Sequence, residues 1–337
     1  MDEPLWIDEH APSLADLPQA ELRDRLRDAT DEPVNLVVYG PEGAGKTAAV
    51  RALAEHAHED PDNDLVELNV RDFFGMTKKE VSEDPRFSQF ISSKRRRNSS
   101  KADLINHVLK ESASYPPVSG DYNTILLDNA EAIREDFQQA LRRVMERHHE
   151  ATQFIIATRQ PSKLIPPIRS RCFPVSVRSP TPDEITDVLR DIVEAEGVKY
   201  DGDGVEFVAG YADGDLRKAV LGAQTTAEQE GEVTMNAAYE TLQEVGADDE
   251  IESMLDDAEA GEFTDARSTL DDLLVDEGMS GEEVLEEVLR VGRSRYDGDE
   301  LAELHRLAGD VEFDLNAGNS DRIQVGRLLA ELGRDAQ

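Results

Sequence analysis

The run Gly40-Pro41-Glu42-Gly43-Ala44-Gly45-Lys46-Thr47 fits G-x-x-x-x-G-K-[ST] in full. Its chemistry is phosphate binding. Glycines let backbone N–H groups wrap phosphate oxygens, and a helix N-terminus behind them adds partial positive charge. Lys46 is placed to reach the β- and γ-phosphates and Thr47 to ligate Mg2+. Ala48, the next residue, is counted with 40–47 among those expected to bind the nucleotide. A purely structural glycine turn is the alternative, and it leaves the lysine unexplained.

A second signal is the apolar run Thr124-Ile125-Leu126-Leu127 ending in Asp128. In P-loop NTPases an aspartate at such a strand end holds the Mg2+ shell. The alternative is a helix N-cap, because a helical pattern follows.

These residues need strands and helices to position them. Val34–Tyr39 reads as a buried strand entering the glycine loop, and 46–58 as a helix leaving it. Further strands are expected at 65–70, 124–127, 153–158 and 173–177, with helices at 21–29, 102–114 and 135–149. Continuous apolar strands alternating with helices imply an α/β fold, a parallel sheet covered on both faces. Residues 71–101 read as irregular and charged. Ser179-Pro180-Thr181-Pro182 reads as a linker, followed by a small helical domain and then an all-helical acidic one. The expected domains are 1–178 (nucleotide-binding α/β), 179–234 (helical lid) and 235–337 (helical collar).

Beyond the phosphate loop, four stretches occur in the order of one family. They are Trp6-Ile7-Asp8-Glu9-His10-Ala11-Pro12, Gln138-Gln139-Ala140-Leu141-Arg142-Arg143-Val144-Met145-Glu146, Ser170-Arg171-Cys172 and Gly214-Asp215-Leu216-Arg217-Lys218-Ala219. Together they resemble the small subunits of archaeal and eukaryotic replication factor C, the AAA+ sliding-clamp loader. The resemblance covers about residues 4–224, and the C-terminal third matches only in helical character. It implies ATP and Mg2+ as ligands and a heteropentamer with other replication factor C subunits. The sliding clamp and primer–template DNA are its implied partners. Arg171 would be an arginine finger reaching a neighbouring subunit's ATP, or else a surface ion pair. Arg217 would hold the γ-phosphate in its own chain, or else be a helix-surface arginine. Arg142 and Arg143 would face DNA, or else edge an amphipathic helix. The Trp6 segment would touch the adenine side of the nucleotide.

Two departures from that family fall on hydrolysis. The D-E-A-D box reads Asp128-Asn129-Ala130-Glu131, so an amide replaces the water-polarising glutamate. An amide cannot act as a general base, and Glu131 lies two residues on, where it should not reach the same point. At the next strand end Arg159 stands where asparagine is usual, with Thr158 as substitute if the register shifts. The expectation is a subunit that binds ATP with Mg2+ and turns it over slowly or not at all.

Lys94-Arg95-Arg96-Arg97, with Lys101 nearby, is the main basic cluster and a candidate DNA contact, or else a solvated loop. Phe73, Phe74, Phe87 and Phe90 either meet the clamp or belong to the core.

Composition sets the remaining bounds. The chain has 337 residues, 73 acids against 36 bases, and a formal charge of -37. The acids are spread through periodic segments, arginine outnumbers lysine about threefold, and no lysine follows Lys218. That pattern fits a folded surface kept hydrated in concentrated salt, as in halophilic proteins, where a Debye length of about 3 Å screens like charges. The alternative is an ordinary acidic protein. One cysteine excludes an intrachain disulfide framework, and the seven histidines form no metal-ligand cluster. The N-terminus carries no secretory pattern and no apolar run approaches a membrane span, so a cytoplasmic, membrane-free protein is expected. The competing function is another AAA+ DNA machine, a branch-migration helicase or origin-binding ATPase. Such a protein should add a winged-helix domain with a β-wing, and residues 235–337 give no strand signal.

Overall fold

In the computed structural model, the chain is described over residues 5–31, 33–84, 91, 99–118, 120–245, 248–275, 278–316 and 318–335. It divides into two compact units, 1–238 and 239–337.

The first unit is built on five parallel strands: β1 (Leu36–Tyr39), β2 (Leu65–Asn69), β3 (Asn123–Asp128), β4 (Thr152–Thr158) and β5 (Phe173–Ser176), in the order β2-β3-β4-β1-β5. Side chains alternate between the faces with period two. Val37, Ile125, Leu127, Phe154 and Ile156 enter one core, while Leu36, Val38, Leu126, Ile155 and Ala157 enter the other. This two-sided burial is why β3 and β4 read as unbroken apolar runs. Helices α2 (Ala20–Asp31), α3 (Lys46–Ala57), α4 (Pro61–Asp64), α5 (Val70–Gly75), α6 (Lys78–Glu83), α7 (Lys101–Ser114), α8 (Glu135–His148) and α9 (Pro166–Arg169) belong to the same half of the unit, whereas α1 (Trp6–Glu9) packs against residues 216–230. α2 and α3 cover one face through Leu22, Leu26, Val50 and Leu53. α7 and α8 cover the other through Leu104, Leu109, Phe137 and Leu141. Truncating the fully buried Phe154 to alanine is expected to cost about 3–5 kcal/mol.

The described part of 71–101 is not irregular throughout, because α5 and α6 fall there. The Asn69 side chain caps α5, and Thr77 with Glu80 forms a reciprocal capping box at α6. Phe73 is buried in the core, and Phe74 meets Phe137 edge to face at 5.3 Å. Lys101 donates to the Phe74 carbonyl, a structural bond. Phe87, Phe90 and Lys94–Arg97 lie outside the described residues.

The rest of the first unit holds α10 (Pro182–Ala195), α11 (Gly202–Tyr211) and α12 (Leu216–Glu230). It also holds a two-residue parallel pair that the sequence pattern does not announce, β6 (Lys199–Tyr200) with β7 (Glu232–Val233). Helix α13 (Met235–Val245) spans the division between the units.

The second unit contains, among its described residues, helices only: α14 (Asp248–Glu259), α15 (Phe263–Val275), α16 (Gly281–Arg295), α17 (Gly298–Asn316) and α18 (Asp321–Asp335). Their apolar faces share one core that includes Met254, Leu270, Val288, Leu304 and Leu328. Among the described residues, no helix is long and apolar enough to cross a membrane.

Candidate functional site

The C-terminal ends of β1, β3 and β4 are neighbours, and the residues that follow them meet there. In open parallel sheets this edge is where ligands bind. Gly40 leaves β1 so close to β5 that a Cβ on it would lie 1.9 Å from the Val177 carbonyl oxygen. Gly43 and Gly45 take φ of 65° and 89°, a region that glycine enters without strain. Ala44 between them is buried, while Pro41 and Glu42 are exposed and Ala48 is half-buried in the first turn of α3. The N-cap of α3 is Gly45, so no side chain caps it, and its first turn carries no acid. Backbone N–H groups there remain available to an anion.

Lys46 Nζ donates to the Pro41 carbonyl at 2.5 Å. Burial is the largest influence on this amine and pulls its pKa below the usual lysine value, against the attraction of Asp128, Glu131 and Glu42. Thr47 Oγ1 donates to Asp128 Oδ2 at 2.8 Å, although 81 residues separate them. A hydroxyl and a carboxylate side by side are a fitting pair of hard oxygen ligands for Mg2+, which keeps several other positions for water and phosphate.

Asn129 sits in left-handed backbone, φ 52° and ψ 44°. Its Nδ2 donates to Asn69 Oδ1 at the end of β2, at 3.3 Å. Glu131 turns instead to the end of β4. Its Oε2 accepts from Thr158 Oγ1 at 2.9 Å and from the Arg159 backbone N–H at 3.1 Å, and its Oε1 accepts from Arg159 Nε at 3.3 Å. Burial pushes this carboxyl up, but hydrogen bonds from its own backbone, Arg159 and Thr158 outweigh that and hold it below the usual range. Arg159 also pairs through Nη1 with Glu42 of the glycine loop.

Helix α12 closes onto the same loop. The Leu216 N–H donates to the Gly43 carbonyl at 3.0 Å, and Asp215 caps the helix by accepting from the Lys218 N–H. A Cβ on Gly43 would lie 1.9 Å from the Asp215 carboxyl carbon. Arg217 is exposed, one residue inside the helix. The buried Trp6 of α1 joins α12 through its backbone N–H, which donates to Gln224 Oε1 at 2.9 Å.

Arg171 lies elsewhere, just beyond α9. It donates to the Pro167 carbonyl and to Glu146 Oε1, each at 2.6 Å, and keeps about a third of its side chain exposed, 36%. Arg142 donates to the same Glu146 oxygen at 2.9 Å. Arg143 faces a groove of about 280 Å3 between α7 and α8, together with Lys110, Arg147 and His148. Burial first, then the charges of Arg147 and Lys110, depress the His148 pKa.

The structure thus gathers residues 40–48, Asp128, Asn129 and the start of α12 at one edge, and sets Arg171 apart with Glu146. The Glu42–Arg159–Glu131 chain and the approach of Asp215 to Gly43 have no counterpart among the sequence expectations. The first joins residues 117 apart, and no local pattern marks it.

A parallel sheet whose first strand feeds a glycine loop with Lys-Thr, and whose third ends in an aspartate beside that threonine, defines a nucleotide-binding ATPase fold. The family model "ATPase family associated with various cellular activities (AAA)" matches residues 36–180, and "Replication factor C C-terminal domain" matches 247–331. The chain is 32% identical to the replication factor C small subunit of Natronomonas pharaonis, covering 98% of this chain and 95% of that one. It is 29% identical to that of Halobacterium salinarum (99% and 97% covered) and 31% to that of Methanococcus maripaludis (97% and 98%). The chain belongs to the replication factor C small-subunit family. Among solved structures it is similar in fold to the Aeropyrum pernix ORC1 protein in complex with DNA (TM-score 0.58, 18% identity, 97% and 95% covered). It is also similar to the Thermotoga maritima RuvB Holliday junction branch migration motor (TM-score 0.53, 14% identity, 81% and 88% covered). At those identities the likeness concerns fold alone.

Proposed function

We propose that this chain is an ATP-binding subunit of a clamp loader. In this reading it takes one place in a heteropentameric ring with other replication factor C subunits, in the cytoplasm, and helps load the sliding clamp onto primer–template DNA. The observation that carries the nucleotide part is the Thr47–Asp128 pair beneath an uncapped, glycine-lined helix start. Residues 40–48 wrap the phosphates, Lys46 exchanges the Pro41 carbonyl for phosphate oxygens, and Thr47 and Asp128 hold Mg2+. The metal supplies neutralisation of charge on the β- and γ-phosphates. Arg217 reaches the γ-phosphate from the lid helix, and Trp6 sits toward the base.

Hydrolysis by this chain is weak in the same reading. Asn129 offers no general base, and the Glu131 carboxylate is engaged by Thr158 and Arg159. Arg171 is donated to a neighbour's ATP. The groove bearing Lys110, Arg143 and Arg147 contacts DNA phosphates, a use supported by its charge in an acidic chain. Phe313 and Ile323, exposed at 76% and 66% on the second unit, suit a collar face between subunits. The domains 1–178, 179–234 and 235–337 then act as motor, lid and collar.

The test is reconstitution with a large and a second small subunit, followed by ATPase measurement with clamp and primed DNA. Arg171→Ala is expected to lower the rate of the complex by at least tenfold, with Lys46→Ala having the smaller effect. Equal rates for wild type and Arg171→Ala would overturn the donor role. Brisk ATPase activity of the isolated chain, abolished by Lys46→Ala, would overturn the weak-hydrolysis reading.

A further inference from the structure

Residues 5–19 hold both parts of the first unit, one at each end of a short length of chain. Leu14 and Leu17 are buried in the core that also contains Leu36, Val38 and Val177, so this end belongs to the sheet. Gln19, buried as well, exchanges two hydrogen bonds with the backbone of Arg178. Its Nε2 donates to the Arg178 carbonyl at 2.8 Å, and its Oε1 accepts from the Arg178 N–H at 3.2 Å. The other end belongs to the helices that follow the sheet. There α1 packs against α12, the Trp6 N–H donates to Gln224, and His10 Nε2 pairs with Oε1 of Glu196, the residue just past α10.

The chain thus crosses from sheet to helices twice. One crossing is residues 178–181, which lead directly into α10. The other is Ala11-Pro12-Ser13. Gln19 ties the start of the first crossing to the sheet end of the second. The Arg178 guanidinium in turn grips Glu184, in the first turn of α10, through two bonds of 2.7 and 2.6 Å.

Length decides what the second crossing can do. His10 and Leu14 are four links apart, and extended chain spans at most about 3.6 Å per residue, so the tether reaches no further than about 14 Å. Pro12 narrows its paths by fixing φ. If His10 lets go, the next hold is Trp6, twice as many links from Leu14, and the slack doubles. The His10 and Glu196 side chains are 21% and 25% exposed, so salt screens this pair less than it screens a surface pair. The motion at stake is that of α12. Its Leu216 N–H is bonded to the Gly43 carbonyl, so the helix rests on the glycine loop. A nucleotide held between that loop and Arg217 leaves only when α12 lifts.

We infer that residues 5–19 form a second tether across the hinge, with the His10–Glu196 pair as its clasp. The clasp limits how far α10–α12 lift from the glycine loop and so sets the rate of nucleotide exchange. This inference rests on the reading of α10–α12 as a nucleotide lid.

The experiment places spin labels in the full chain at two exposed positions, Asp136→Cys on α8 and Asp203→Cys on α11, in a Cys172→Ser background. Double electron–electron resonance then gives the distribution of distances between them without nucleotide. Glu196→Ala is expected to broaden that distribution, and His10→Ala to do the same. Exchanging the partners, His10→Glu with Glu196→Arg, should narrow it again. Stopped-flow release of fluorescent mant-ADP, with Mg2+, should be about threefold or more faster in Glu196→Ala, and association faster too, so that Kd stays within about twofold. Thermal unfolding identifies any variant that fails to fold, and His10→Ala keeps the test decisive if Glu196→Ala is that variant. An unchanged distribution in the folded variants, or broadening with an unchanged release rate, would overturn the inference. So would a loss of affinity with association unaltered, because Glu196 would then serve binding and not lid motion. A wild-type chain that binds no mant-ADP would overturn the nucleotide reading itself, a separate result, since the label distances decide the tether without nucleotide.

Discussion

Asn129 occupies a backbone conformation that few side chains tolerate, with φ 52°. Asparagine is among the few non-glycine residues enriched there, whereas a longer side chain meets the usual left-handed penalty of about 1–2 kcal/mol. Asparagine at this position, where the resemblance sets a glutamate, thus suits the local chain path. Asn129→Glu is expected to lower the thermal midpoint by a few degrees and to raise single-chain ATP turnover. Unchanged turnover would show that the missing base is not what limits the rate. Glu131 titrates below the usual carboxylate range, so its contribution to stability is present above the unfolded value near 4.5 and is lost as pH falls through the lower, folded value. Glu131→Gln should flatten that acid limb in chemical denaturation measured from pH 6 downward. At this scale the sequence was partly legible. Residues 40–47 announce phosphate binding because the chemistry is local. The Thr47–Asp128 bond could be anticipated from the strand end, but the Arg159 ion pairs arise only when β4 lies beside β1.

Helix α12 and the glycine loop meet through backbone, and the fit between them is narrow. At Gly43 even a methyl group would collide with the Asp215 carboxylate and would also be strained by φ 65°. Gly43→Ala should therefore lower the unfolding midpoint and weaken nucleotide binding, and calorimetry of both transitions checks it. Strands buried on both faces were readable because their central residues are apolar without a break. The short helices α5 and α6 leave no mark in the apolar pattern, although Thr77-x-x-Glu80 carries the capping signal. Their brevity leaves no periodicity to detect, and the same holds for the two-residue pairing of β6 with β7. The basic groove between α7 and α8 likewise needs both helices, since Lys110 and Arg147 come from separate segments. Replacing Arg143 and Arg147 by alanine should weaken DNA binding across sequences and reduce the salt slope by about one for each phosphate no longer neutralised.

Across the whole molecule the dominant fact is a charge of -37 carried by a chain with well-filled cores. Repulsion of that size is tolerable only where it is screened. Relatives from Natronomonas pharaonis and Halobacterium salinarum fit the halophilic reading of the composition. The thermal midpoint should climb as potassium chloride rises from about 0.1 M to 2 M, a salt range chosen from the screening length. A flat or falling midpoint would contradict it. Fold class and the split between a sheet-based and an all-helical part were legible at this scale, because they depend on summed pattern and not on any single side chain.

The carboxylate of Glu146 serves two guanidinium groups at once, those of Arg142 and Arg171. In the proposed ring, where Arg171 would swing outward to a neighbouring protomer, Arg142 would stay behind and no lone anion would be stranded. The departure would thereby be cushioned, so that under this proposal the side chain could be recruited and handed back at small energetic expense.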